Sequence, residues 1–97
     1  MKDFEKIKLI LSNNKADLNR KYFVSNLGLF GSYVRGEQSE NSDIDALVEF
    51  SKPIGMFHFI RLQEYLEKIL GKKVDLVSKN ALKKRIAEHI LKEVIYI

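Results

Sequence analysis

The chain contains no cysteine, only one proline and no long apolar run. Without cysteine it can form neither a disulfide framework nor a thiolate metal site, and a thiol nucleophile is excluded. No apolar stretch approaches the roughly 20 residues that a membrane-spanning helix requires. Residues 1–6 alternate charged and apolar side chains, which is unlike the continuous apolar segment of a signal peptide. We therefore expect a soluble protein of the cytoplasm that does not bind a membrane.

Chain length and net charge indicate the number of domains but not the class of partner. Ninety-seven residues are enough for one compact domain with one core, so we expect residues 1–97 to form a single domain. The net charge of +4 favours encounter with anionic partners, such as a nucleotide, a nucleic acid or an acidic protein surface. Many unrelated domains carry a similar charge, so this feature does not distinguish among those partners.

Apolar periodicity predicts alternating helices and strands. Helical spacing of apolar side chains predicts helices over residues 3–18 and 56–70, and a last helix that begins at Asn80. Apolar or alternating stretches predict strands over residues 22–30, 43–50 and 73–77. This order indicates an α/β structure with one small sheet covered by helices. The apolar C-terminus, residues 94–97, is compatible with packing into the core and with an exposed patch.

Two acidic residues open the second predicted strand. Side chains at positions i and i+2 of a strand point to the same face, so Asp43 and Asp45 should project together while Ile44 enters the opposite layer. Asp75 lies within the third predicted strand, and it would join the other two if the two strands are neighbours. Because adjacent carboxylates repel unless a cation lies between them, this arrangement favours Mg²⁺, which prefers oxygen ligands and often shares them with substrate phosphates.

A small-residue turn lies between the first two strands. Gly31 allows the backbone to approach an anion closely, and Ser32 adds a hydroxyl and an N–H, so the turn is suited to a phosphate. Arg35 has two interpretations of equal weight: it contacts a phosphate or the partner, or it closes the short turn and pairs with an acid of the following loop. A single Asp-x-Asp or Gly-Ser pair is weak evidence, whereas their combination in this order is specific.

The segments from Gly31 to Gly36 and from Ser42 to Asp45 resemble the signature of the DNA polymerase β-like nucleotidyltransferase superfamily. The short chain and residues 73–77 (Lys-Val-Asp-Leu-Val) are similar to its minimal nucleotidyltransferase branch. The resemblance extends over nearly the whole chain. It implies the nucleotidyltransferase fold, an α/β structure with a small mixed sheet of three or four strands covered by helices.

The resemblance also implies an activity. Members of this branch transfer AMP from ATP to a hydroxyl and release pyrophosphate. Asp43, Asp45 and Asp75 would be catalytic and bind two Mg²⁺ ions, and Asp75 would also help to activate the acceptor. Gly31, Ser32 and Arg35 would bind the nucleotide. Many members are antitoxins that adenylylate a tyrosine of a HEPN-domain RNase toxin, which makes such a toxin the expected partner.

Three alternatives remain open on the residues alone. The chain could be a non-catalytic module that neutralises its partner by occupying it. It could also transfer a nucleotide to RNA or to a small molecule, although small-molecule members usually have an additional acceptor-binding domain. Direct nucleic-acid binding is disfavoured, since the lysines and arginine of residues 72–85 lack interleaved aromatic side chains and are explained by a solvated helix face.

Overall fold

The computed structural model describes residues 3–97 as one four-stranded sheet flanked by helices. The elements in chain order are α1 (Asp3–Asn13), α2 (Lys15–Tyr22), β1 (Val24–Phe30), α3 (Ser32–Arg35), β2 (Ile44–Phe50), α4 (Met56–Leu70), β3 (Val74–Ser78), a 3-10 helix (Lys79–Ala81), α5 (Lys84–Glu93) and β4 (Ile95–Tyr96). The strand order is β3-β2-β1-β4. Strand β1 is antiparallel to β2 and β4, whereas β2 and β3 are parallel. The expected mixed α/β sheet is confirmed.

The two faces of the sheet carry cores of different size. Alternate residues of β2, namely Ile44, Ala46 and Val48, are fully buried in a large cluster with residues of α1, α2 and α4. On the opposite face, Leu47 forms a small cluster with Phe30 and with Ile90 of α5. Because side chains alternate between faces along a strand, Asp45 shares the face of Leu47 and therefore lies on the side covered by α5.

The first predicted helix is interrupted at Asn14. The Asn14 side-chain amide donates a 2.8 Å hydrogen bond to the carbonyl of Ile10, four residues earlier. Such local side-chain bonds compete with the helical backbone pattern, and a new helix, α2, starts at the next residue. The prediction that a strand begins at Tyr22 was wrong, because Tyr22 ends α2. Phe23 then adopts the left-handed conformation (φ 59°), and the strand starts at Val24.

Other boundaries shift by smaller amounts. Strand β2 begins at Ile44, so Asp43 lies just before it. Asn80 does not begin the last helix; it lies in the 3-10 helix, and α5 starts at Lys84. The apolar C-terminus combines both expected behaviours: β4 pairs with β1, and Ile97 packs against the large core, while Ile95 and Tyr96 remain partly exposed. Among residues 3–97, no helix is long and apolar enough to span a membrane.

Gly28 provides a test of how closely β4 packs on β1. A Cβ atom added to Gly28 would lie 2.5 Å from Val94 Cγ2 and 3.2 Å from Tyr96 Cδ1. We expect Gly28→Ala to displace the C-terminal strand and to lower the free energy of unfolding by about 1–3 kcal/mol, the usual cost of overpacking. Urea denaturation measures this change.

Gly55→Ala is the matched control for this substitution. An added Cβ at Gly55 has no described atom within 4 Å, and the backbone is extended there. We expect its effect to stay within about 1 kcal/mol, since alanine is only a poorer helix N-cap than glycine. Equal losses for the two variants would contradict close packing at Gly28.

Candidate active site

Two of the three predicted acids are direct neighbours across adjacent strands. Asp45 of β2 and Asp75 of β3 are register partners in the parallel pair. Side chains of register partners lie on the same face of a sheet, so both carboxylates lie on the face that carries the small cluster and α5. Asp45 is half-buried, whereas Asp75 is exposed. The structure thus brings together two acids that are 30 positions apart in the sequence.

Asp43 lies at the same end of β2, two residues before Asp45. It is exposed and precedes the strand, whose first residue donates a 2.9 Å hydrogen bond from the Ile44 N–H to the carbonyl of Lys73. Among residues 3–97, no three aspartate, glutamate or histidine side chains are close enough to bind one metal ion together. The described part of the chain therefore presents separate carboxylates at one edge of the sheet and contains no preformed three-acid metal site.

The local charge distribution affects Asp45 most strongly. Burial is the main cause that raises the pKa of Asp45 from 3.8 to about 6, and repulsion from Asp75 and Asp43 adds to it. The negative charge of Glu93 acts in the same direction, while Arg35 opposes the increase. The positive charge of Arg35 therefore does not compensate the negative charge of the surrounding acids, and a further cation would stabilise the site.

Gly31 lies directly beside Asp45, at a position that has no room for a side chain. Its backbone conformation (φ 81°, ψ −155°) is one that essentially only glycine adopts. A Cβ at this position would overlap Asp45 Oδ2. The glycine is required for two reasons, since it allows both the turn after β1 and the close approach of the carboxylate to the backbone.

The short helix α3 positions the other two nucleotide-binding candidates. Ser32 is its first residue and is half-buried, and Arg35 is its last. The Arg35 guanidinium contacts Glu37 through Nε and Glu93 through a terminal nitrogen, each at 2.5 Å. Pairing with a loop acid was one of the two sequence interpretations of Arg35, and it is confirmed by the contact with Glu37.

Glu93 is a site residue that the sequence interpretation missed. Its Oε1 accepts a 3.0 Å hydrogen bond from the Gly31 N–H and also contacts Arg35. Only 15% of the Glu93 side chain is exposed. One signal was available in the sequence, because Glu93 lies one helical turn after the buried Ile90 and thus on the inward side of α5.

Two further residues, His58 and Tyr33, have packing roles. His58 contacts the carbonyl of Tyr22 at 2.8 Å and stacks on the Phe23 ring, so it has a structural role. Tyr33 is buried in the large core, where it packs.

The residues present fit Mg²⁺ as a shared ion. The available donors are carboxylate oxygens, and the raised pKa of Asp45 indicates negative charge that a cation would stabilise. Mg²⁺ in phosphoryl-transfer sites is usually bound by one or two carboxylates together with substrate phosphates. Asp45 and Asp75 on neighbouring strands match this requirement better than they match an all-protein site.

We expect Asp45→Asn to stabilise the metal-free protein. The folded-state pKa lies above the unfolded value, so ionisation of Asp45 opposes folding fully above about pH 6 and not at all below about pH 4. A pKa difference of about 2 corresponds to about 3 kcal/mol, which solvent screening at this partly exposed position reduces to about 1–2 kcal/mol. Urea denaturation in EDTA should show this gain at pH 7.5 and its decrease toward pH 4.

Glu40→Gln, at an exposed loop position, is the control for Asp45→Asn and should show little gain in stability. A gain for Asp45→Asn that does not change with pH would contradict the explanation.

Gly31→Ala should be more harmful than Gly36→Ala. Gly36 is in the left-handed helical region (φ 73°, ψ 22°), and an added Cβ there meets no described atom within 4 Å, so we expect a loss of about 1–2 kcal/mol from backbone strain. Gly31 combines a less accessible backbone conformation with overlap on Asp45, and we expect a loss of about 3 kcal/mol or more. Thermal or urea unfolding measures both variants, and equal losses would show that the overlap with Asp45 is unimportant.

Comparison with known proteins agrees with this geometry. A model of the family described as nucleotidyltransferase domain matches residues 7–97. A relative from Thermococcus cleftensis, the protein adenylyltransferase MntA, is 47% identical over 97 residues, which cover 100% of this chain and 98% of the relative.

Three solved structures have a similar fold. A candidate minimal nucleotidyltransferase is 34% identical with a TM-score of 0.76, over 92% of this chain and 93% of that one. A chain from a toxin–antitoxin structure with AMP-PNP is 27% identical with a TM-score of 0.72, over 87% of this chain and 69% of that one. A chain from the complex of a tri-AMPylated Shewanella oneidensis HEPN toxin with its MNT antitoxin is 22% identical with a TM-score of 0.67, over 93% and 70% of the two chains, and shows the shared fold alone. The chain belongs to the nucleotidyltransferase domain family, in the minimal group that contains the MntA-like protein adenylyltransferases.

Proposed function

We propose that this protein is a Mg²⁺-dependent adenylyltransferase that moves AMP from ATP to a tyrosine of a cognate HEPN-domain toxin and thereby acts as its antitoxin. The observation that carries the proposal is the pairing of Asp45 with Asp75 in register, next to the turn at Gly31. The full-length similarity to a protein adenylyltransferase supports the transferred group. The similarity to a toxin–antitoxin structure with AMP-PNP supports the nucleotide and the partner.

Asp43, Asp45 and Asp75 would hold two Mg²⁺ ions together with the phosphates of ATP. When bound, these ions supply positive charge that stabilises the attacking and leaving oxygens of an in-line displacement. The carboxylates contribute the ligands, and the sheet register keeps Asp45 and Asp75 at a fixed separation. Binding of the ions would also offset the burial and the repulsion from Asp75 and Asp43, which together raise the pKa of Asp45.

The turn after β1 would hold the β- and γ-phosphates. The N–H groups of Gly31 and Ser32 can donate to phosphate oxygens, and Arg35 at the end of α3 supplies a permanent positive charge. With the β- and γ-phosphates held there, the acids would be the residues available to the α-phosphate. The acceptor hydroxyl oxygen then forms a bond to the α-phosphorus, the bond between that phosphorus and the bridging oxygen breaks, and pyrophosphate leaves.

Asp75 would receive the hydroxyl proton. It is exposed, whereas its partner Asp45 is half-buried, so an acceptor on another molecule can reach it. The strands and the turn would bind the ions and the nucleotide. We therefore expect the partner protein to present the acceptor. A tyrosine hydroxyl is a suitable acceptor because it can extend from a protein surface into this open edge.

Labelled ATP tests the proposal directly. The protein is mixed with Mg²⁺, ATP labelled at the α-phosphate and its proposed HEPN-domain partner. We expect covalent label on a tyrosine of that protein, with loss of at least roughly 100-fold in rate for Asp43→Asn and for Asp75→Asn, because each removes charge that stabilises the transition state. Glu40→Gln, which changes an exposed acid of the preceding loop, should label at the normal rate.

Other outcomes would replace the proposal. Full neutralisation of the partner by Asp43→Asn, without any label, would indicate that the protein acts by occupancy. Label on RNA or on a small molecule in place of the partner would identify a different acceptor. Activity in EDTA equal to that in Mg²⁺ would exclude a role for the metal ion.

A further inference from the structure

The carboxylate of Glu93 binds the groups that a nucleotide phosphate would use. A single oxygen, Oε1, accepts a 3.0 Å hydrogen bond from the Gly31 N–H and a 2.5 Å contact from Arg35. The side chain reaches across 62 positions of sequence to do so, and it is 85% buried. The contact is thus specific to the folded protein and comes from the last residue of α5.

A carboxylate and a phosphate compete for such donors because both are anionic oxygen acceptors. The Gly31 N–H provides one proton, which is already directed at Glu93. Arg35 has a second acidic partner in Glu37, so two of its five N–H donors already face carboxylates. A phosphate that entered beside Glu93 would in addition meet its negative charge at close range.

We propose that Glu93 is an internal substitute for a nucleotide phosphate and that binding of Mg²⁺–ATP displaces it and loosens the junction between α5 and β4. This inference rests on the proposed function in one respect, namely that phosphates bind at Gly31 and Arg35. It adds a coupling between the nucleotide site and the C-terminal segment, which the catalytic residues alone do not provide.

The connection from Glu93 to the C-terminal strand is short. Val94 follows α5 directly, and β4 then pairs with β1 through only two register pairs, Gly28 with Tyr96 and Leu29 with Ile95. The Ile97 N–H adds a 2.9 Å hydrogen bond to the Leu27 carbonyl. Because so few bonds hold this segment, movement of Glu93 away from Gly31 would weaken them together.

The consequence at the surface is a change in apolar exposure. Leu91, Ile95 and Tyr96 border the junction and are 41%, 37% and 43% exposed. Displacement of Glu93 would change the exposed fraction of these three side chains. The nucleotide-bound and nucleotide-free proteins would then differ in this apolar patch.

Binding of Mg²⁺–AMP-PNP to wild-type protein and to Glu93→Gln tests the competition by calorimetry. Glutamine has nearly the same shape but no charge, so the internal competitor is weakened. Since hydrogen bonds to charged groups are stronger than those to neutral groups, we expect roughly tenfold tighter binding by Glu93→Gln. Glu37→Gln is the matched control because it removes the other carboxylate from Arg35 without contacting Gly31, and its affinity should change less than threefold.

Amide hydrogen exchange of wild-type protein tests the coupling without any substitution. Addition of Mg²⁺–AMP-PNP should accelerate exchange of the Ile97 amide at least several-fold, because the α5–β4 junction loosens. In Glu93→Gln, this amide should exchange faster even without nucleotide and should respond little to its addition. The Ser51 amide, which donates a 2.8 Å hydrogen bond to the Phe23 carbonyl just beyond the other end of β2, is the internal reference.

The outcomes separate this inference from the proposed function. Wild-type binding with equal or weaker binding by Glu93→Gln, or with slower exchange at Ile97, would overturn the displacement and leave the transferase proposal intact. Binding by neither protein would overturn both. Tighter binding by Glu37→Gln to the same extent would also overturn it, because the effect would then come from Arg35 alone.

Discussion

Repulsion between carboxylates on adjacent strands is the constraint on which this site depends. The register of β2 and β3 places Asp45 beside Asp75, and it cannot slip without moving Ile44, Ala46 and Val48 out of the large core. The fold therefore maintains an unfavourable interaction through hydrophobic burial elsewhere. Such a site is poorly satisfied by the protein alone, and a cation beside it would stabilise the ionised carboxylates.

One basic side chain, Arg35, lies between this acidic pair and a further acid, Glu93. Arg35 faces the acids and lowers the pKa of Asp45, while Glu93 faces Arg35 and raises that pKa. The small cluster of Phe30, Leu47 and Ile90 determines this order, because it docks α5 so that its last turn reaches Gly31. A minor core on one face of the sheet thus determines which charges meet at the site.

Sequence patterns were informative where the chemistry is local. The Gly-Ser turn and the Asp-x-Asp pair occupy consecutive segments, and Asp75 was found because its strand has a regular apolar pattern. The contact of Glu93 with Gly31 could not be predicted in this way, since it depends on the docking of α5 onto a distant strand. The break at Asn14 was also missed, because only one side-chain hydrogen bond marks the end of α1. Strand β4 is too short for any periodicity to be visible.

Gly31 and Asp45 form one steric unit, since the carboxylate occupies the space that a side chain at position 31 would need. Substitutions at these two positions are therefore not independent in evolution. A lineage can lose the charge at position 45 through asparagine while the turn survives, whereas a side chain at position 31 would require both a smaller residue at position 45 and a different backbone conformation in the turn. Loss of the charge is therefore the shorter mutational route. A descendant without the charge would still carry the glycine, because the turn itself requires it.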